Sequence, residues 1–151
     1  MLRRKNMHLP SYHCVVCVQE EETILHLFFD FPFSQACWVF LGIQWNLNLP
    51  PLDMILSSRA IFGSSIFREV IILAAWCIWC HQNSIIFDDK TVSFAPWYGS
   101  FSTELKLVTL RAKPGMKEKL NNLLFCNGWN FNVKNILWQC NFYSFYITFL
   151  Y

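Results

Sequence analysis

Charge is scarce in this chain. Lys and Arg number 12 and Asp and Glu 10 among 151 residues, a net charge of +2, so the total provides no strong attraction for a polyanion. Any such attraction has to come from local clustering. A 15% charged share against 54% hydrophobic residues excludes a disordered, solvated tail, and the length is that of one domain able to bury a sizeable core. Glycine is also sparse, with five residues and no loop of the kind that cradles phosphate. There is no Ser/His/Asp set in a recognisable context and no paired acidic motif of a polymerase or endonuclease, so a non-enzyme is expected. An export signal is missing too: Met1 to Lys5 is basic, but polar and turn-like residues follow where an apolar stretch of roughly 7 to 15 is needed. The longest apolar runs are Val70 to Cys80 and Ile136 to Tyr151, the second broken by Gln139 and Asn141. Both fall short of the roughly 18 residues of a membrane span. The expectation is a soluble, intracellular chain whose thiols stay reduced, and an odd count of seven cysteines favours metal ligation or free thiols over disulfides.

What is present begins with Cys14-x2-Cys17, followed by His26. Two thiolates on a tight turn can converge on one metal ion, and a histidine about ten residues on can return from the next element. A closed zinc site takes four donors, and a fourth at the usual spacing of five residues would fall at position 31. Phe31 stands there. Zinc is the cofactor this pattern calls for, through Cys14, Cys17 and His26, with affinity reduced by the missing thiolate. Asp30, His13 and Cys37 are the possible substitutes. Asp30 points elsewhere if the segment is extended, and Cys37 lies on the next helix, six residues past the expected position.

The words around these residues carry a likeness. LPSYHCVVC (9 to 17) and HLFFDFPFSQACW (26 to 38) resemble the zinc-binding region C-terminal to the reverse transcriptase of plant non-LTR (LINE-type) retrotransposons. That pattern runs Cys-x2-Cys, an acidic spacer, His-Leu-Phe, a final Cys, then a helix carrying Trp. EVIILAAWCIWCHQNSIIF (69 to 87) is similar to the family's Trp-x-Ile-Trp helix, with Trp76, Trp79, Asn83 and Phe87 in step and Gln82 in place of an Arg. ELKLVTLRAKP (104 to 114) resembles its closing basic helix. The resemblance covers roughly residues 1 to 125 and departs from the pattern at Phe31. It implies a module that assists a polymerase lying upstream in gripping RNA or DNA, with no catalytic activity of its own.

Along the chain, a mainly α fold is expected. Residues 1–45 form a small irregular knuckle and its helix, 46–65 a loop broken by Pro50-Pro51 and Gly63, and 66–125 the helical remainder of the same domain. Ser34 is placed to cap a helix over 34–41 that stops near Gly42, turning Cys37, Trp38 and Leu41 to the core. From Ser65 to Phe87 apolar residues cover nearly every side, as in a central helix packed all round. Phe101, Leu105, Val108 and Ala112 recur at helical spacing before Pro114-Gly115, and Met116, Leu120, Leu123 and Leu124 share a face of a further short helix. Residues 126–151 differ: nine of 26 are aromatic and Lys134 is the sole charge. Such a tail is prone to aggregate unless buried.

The candidate nucleic-acid contacts are Lys106, Arg111, Lys113, Lys117 and Lys119 around the Pro-Gly turn, with Arg3, Arg4 and Lys5 at the start. Phosphate binding needs only converging bases, so the partner expected is RNA or DNA without sequence preference. A solvated helix face is the plainer explanation of the same residues. Glu20, Glu21 and Glu22 read as a solvated turn between the ligand pairs. Two other functional readings remain open: an inert, degenerate remnant, and a redox or c-type haem protein using Cys77-x-x-Cys80-His81. Against the latter, no βαβ pattern surrounds the motif, and within the resemblance both cysteines read as core packing. A composite site from Cys14, Cys17, Cys77 and Cys80 is conceivable on spacing alone.

Overall fold

The computed structural model describes residues 13, 14, 17 and 20–126. Among them it is mainly helical: a π-helical turn at His26–Asp30, then α1 Pro32–Phe40, α2 Pro51–Phe62, α3 Phe67–Asp88, α4 Phe94–Arg111 and α5 Pro114–Cys126. The expected packing of helices is observed among the described residues. The basic lead at Arg3, Arg4 and Lys5 and the aromatic tail from 127 onward lie outside the described residues.

Helix α1 starts earlier than expected, because Pro32 occupies a first-turn position where a missing N–H costs nothing. Phe31, extended at φ −63° and ψ 126°, is therefore the residue before the helix. Ser34 is not the cap. Its hydroxyl sits inside α1 and donates instead to the Leu27 carbonyl at 2.7 Å. The helix closes on Gly42, left-handed at φ 71°. Gly42 N–H reaches the Val39 carbonyl at 3.0 Å and Ile43 N–H the Trp38 carbonyl at 2.9 Å. This paired closure needs a residue that tolerates positive φ.

The expected loop over 46–65 holds a helix, α2. Pro51 opens it at a first-turn position rather than breaking it, and Gly63 ends it at φ 65° with its N–H on the Arg59 carbonyl at 3.1 Å. Met54 and Ser58 are buried, and the Ser58 hydroxyl donates to the Gln44 carbonyl. The prolines and glycine that suggested a break are its boundary residues.

Helix α3 is the long central element, but it is not packed all round. Val70, Ala74, Cys77, Ile78 and His81 face inward, while Ile72, Trp76, Trp79, Ile86 and Phe87 are exposed. At 22 residues with an 18-residue window of mean hydropathy 1.6, it is long and apolar enough to cross a membrane by length and composition. The run Val70 to Cys80, short of a span by itself, is extended on both sides by residues of the same helix. α4 begins at Phe94, seven residues before Phe101, the first residue of the expected helical spacing, since Pro96 fits the first turn. Trp97 and Phe101 from its inner face are buried and stacked at 5.5 Å. Pro114 both stops α4 and opens α5, whose Leu120 is buried with Met116, Leu123 and Leu124 partly so. One continuous core joins the knuckle residues Cys14, Cys17 and Phe31 to Phe33, Trp38, Val70, Ile78, Trp97 and Leu120.

Candidate metal centre

Residues 13 and 14 are tied to residues 20 and 21 by two backbone contacts. Cys14 N–H donates to the Glu20 carbonyl at 2.8 Å, and His13 pairs with Glu21 in an isolated antiparallel bridge. Glu20 and Glu21 are exposed at that closure, in keeping with a solvated turn. Thr23 then starts the π turn: its Oγ1 accepts the His26 N–H at 3.0 Å, and its carbonyl accepts the Leu27 N–H at 2.9 Å. This is capping chemistry, in which a hydroxyl satisfies an N–H that the first turn leaves open.

The carbonyl end of that turn is held from the helices. Ser34 Oγ and Gln82 Nε2 donate to the Leu27 carbonyl at 2.7 and 3.4 Å, and Trp38 Nε1 donates to the Phe28 carbonyl at 2.6 Å. Carbonyls at a helix end lack internal partners, and these three side chains supply them. His26 is thus fixed at both ends of its turn. Thr23, Ser34 and Trp38 were not anticipated in this role, although a threonine three residues before the histidine is a readable capping signal.

So positioned, Cys14, Cys17 and His26 bring their ligand atoms within 4.8 Å of one another, and all three residues are buried. Cys17 Sγ lies 3.4 Å from His26 Nε2. Zinc bonds of about 2.3 Å to sulfur and about 2.0 Å to nitrogen, set at a tetrahedral angle, place those two atoms about 3.5 Å apart. The donor set can hold a metal ion. Among the described residues no fourth His, Cys, Asp or Glu joins it. Phe31 is 4% exposed, with its ring 5.7 Å from the His26 ring and 6.3 Å from Phe33. Asp30 is exposed, and Cys37 is fully buried on α1 without entering the cluster. The arrangement therefore offers three protein donors, the number found in zinc sites whose fourth position goes to water.

Cys77, Cys80 and His81 do not join these donors, so the composite site does not form. They lie inside α3, away from the helix N-terminus where cysteine thiols are activated. Burial, then Cys80 and Glu104, push the Cys77 thiol up to about 12. Cys80 is raised as well, by burial and then Glu104. Both thiols are held protonated near neutral pH, which suits packing and disfavours exchange chemistry. His81 is lowered by burial and then by Lys90. Its ring stacks on Phe33 at 4.8 Å, and its Nε2 accepts the Ser93 N–H at 3.1 Å.

Lys106 and Arg111 on α4, Lys113 before α5, and Lys117 and Lys119 on α5 are all exposed. Among the described residues none of the five is in an ion pair, the pairs there being Arg68–Glu69 and Lys90–Asp88. Lys119 Nζ donates to Ser65 Oγ at 3.0 Å.

No protein-family model, curated protein or solved structure matches this chain.

Proposed function

We propose that this chain is a retroelement-derived, zinc-stabilised nucleic-acid-binding module without catalytic activity of its own. The observation that carries the reading is the convergence of three buried donors, Cys14, Cys17 and His26, within 4.8 Å. Buried thiols and a histidine so close together gain most from a shared cation, because binding one replaces packing of unlike polar atoms with strong ligand bonds. The likeness of the surrounding segments to the zinc-binding region of LINE-type reverse transcriptases supports the same assignment. In it zinc ties Cys14, Cys17 and His26 together beside α1 and α3. The exposed bases of α4 and α5 then meet phosphates, with Arg3, Arg4 and Lys5 adding to them by sequence.

Binding of this kind reads charge rather than base identity, since phosphates carry no sequence information. The test is to purify the protein with added zinc, measure metal stoichiometry, and titrate labelled single-stranded RNA with and without a chelator. One zinc per chain with salt-sensitive RNA binding is the expected result. Absence of both metal and RNA binding would leave the inert remnant as the correct description, and covalent haem with a Soret band would favour the electron-transfer reading.

A further inference from the structure

Cys14, Cys17 and His26 leave a bound zinc ion one ligand short. Among the described residues no fourth Cys, His, Asp or Glu joins them, and the position five residues past His26 holds the ring of Phe31, 5.7 Å from the histidine ring. Zinc in a closed protein site takes four ligands in a tetrahedron, and with three protein donors it completes itself with water. A bound water needs room and polar partners of its own. Here Cys14, Cys17, His26 and Phe31 are 4%, 5%, 6% and 4% exposed, and the two cysteines and Phe31 belong to one apolar core cluster that also holds Phe33. The surroundings offer water little of either.

Copper(I) asks for less. It carries a single charge, is softer than zinc, and bonds stably to thiolate sulfur with two or three donors and no water. Two sulfurs and an imidazole nitrogen within 4.8 Å of one another supply a trigonal set. With bond lengths like those of zinc, about 2.3 Å to sulfur and about 2.0 Å to nitrogen, a trigonal angle puts sulfur and nitrogen about 3.7 Å apart. The 3.4 Å between Cys17 Sγ and His26 Nε2 meets this with a small side-chain rotation. Distance therefore suits both metals, and coordination number and access of water separate them.

We propose that this site takes copper(I) in preference to zinc, as a three-coordinate, water-free centre of Cys14, Cys17 and His26, and that Phe31 sets the preference. The proposal rests on the metal-site reading above and names a second occupant for it: zinc is held until the softer ion displaces it. One effect opposes the exchange, since two thiolates and a neutral imidazole leave bound zinc uncharged and bound copper(I) with one negative charge. That charge lies beside the exposed closure at Glu20 and Glu21. Screening by solvent works at a distance and, unlike ligation, needs no water inside the site.

The full chain, loaded with one equivalent of zinc, is titrated anaerobically with copper(I) buffered by bathocuproine disulfonate while a chromophoric indicator follows released zinc. One equivalent of copper(I) should release the zinc, and X-ray absorption of the product should show two sulfurs and one nitrogen around copper. Phe31→Cys should shift the ratio of copper(I) to zinc affinity towards zinc by about a hundred-fold, because the new thiolate completes the zinc tetrahedron and adds little to copper(I). Both affinities are measured on the same variant, so the cost of losing the ring cancels in the ratio. Zinc retained against copper(I), copper bound by sulfur alone or by four ligands, or an equal gain for both metals in Phe31→Cys would overturn the proposal and leave the zinc site standing. A chain that binds neither ion at a site removed by Cys14→Ser would overturn both.

Discussion

Phe31 and His26 are held together twice, ring against ring at 5.7 Å between centroids and by a hydrogen bond from Phe31 N–H to the His26 carbonyl at 2.8 Å. The residue at the position where a fourth donor was expected is thereby built into the core beside the three that converge.

That contact makes Phe31→Cys informative. The new thiolate supplies the missing donor, so zinc affinity measured by competition with a chromophoric chelator should rise roughly a hundred-fold or more. Removing a buried phenyl ring should also cost the metal-free protein about 3 kcal/mol or somewhat more. Equal affinity in both forms would mean that the site is already complete.

The clamp on the π turn can be tested apart from the metal. Trp38→Phe removes the donor to the Phe28 carbonyl while conserving most of the apolar volume, and should lower stability by about 1–2 kcal/mol. Urea unfolding of the metal-free form measures this directly. If His26 depends on that clamp, zinc affinity should fall with it.

Acid should loosen the junction between α3 and α4. His81 is neutral in the fold and lowered in pKa by burial and Lys90, so the unfolded chain takes up a proton first as pH drops. Stability is fully present above the ordinary value of 6.5 and is lost as pH falls from there toward the depressed value. His81→Gln should flatten this part of a thermal-melt profile against pH. At the alkaline end the sign reverses: Cys77, raised from 9.0 to about 12, adds stability that is whole below 9 and drains away between those values.

If the exposed bases of α4 and α5 contact phosphate, RNA affinity should decline linearly in log units with log salt. Each of Lys106→Ala, Arg111→Ala, Lys113→Ala and Lys117→Ala should then reduce the slope by up to about one unit, weakening all sequences alike. Titrations at several salt concentrations provide the slopes. A slope that none of the four changes would place the contact elsewhere.

Local chemistry carried much of this structure in readable form. Helical spacing placed the inner residues of α4 and α5, and Gly42 marked the end of α1, because periodicity and left-handed closure depend on neighbours within a few residues. The donor types and order, Cys14, Cys17 and His26, were likewise legible. Proline was the ambiguous sign: Pro50-Pro51 read as a break and served as a beginning, since a first helical turn has no use for the N–H that proline lacks.

Other features rest on partners remote in the chain. Ser34 looks like a cap until the Leu27 carbonyl comes within 2.7 Å, and Gln82 reaches the same carbonyl from 55 residues away. These contacts hold the turn that carries His26, and no spacing rule encodes them. The sidedness of α3 was also hidden, because an all-apolar helix gives no sign of which face the core will take. Composition and periodicity determined that helices form and which residues could ligate. Only tertiary packing decided which donors converge, that Phe31 takes a place beside them, and that Trp76 and Trp79 face outward, because each outcome is settled by contacts between segments distant in sequence.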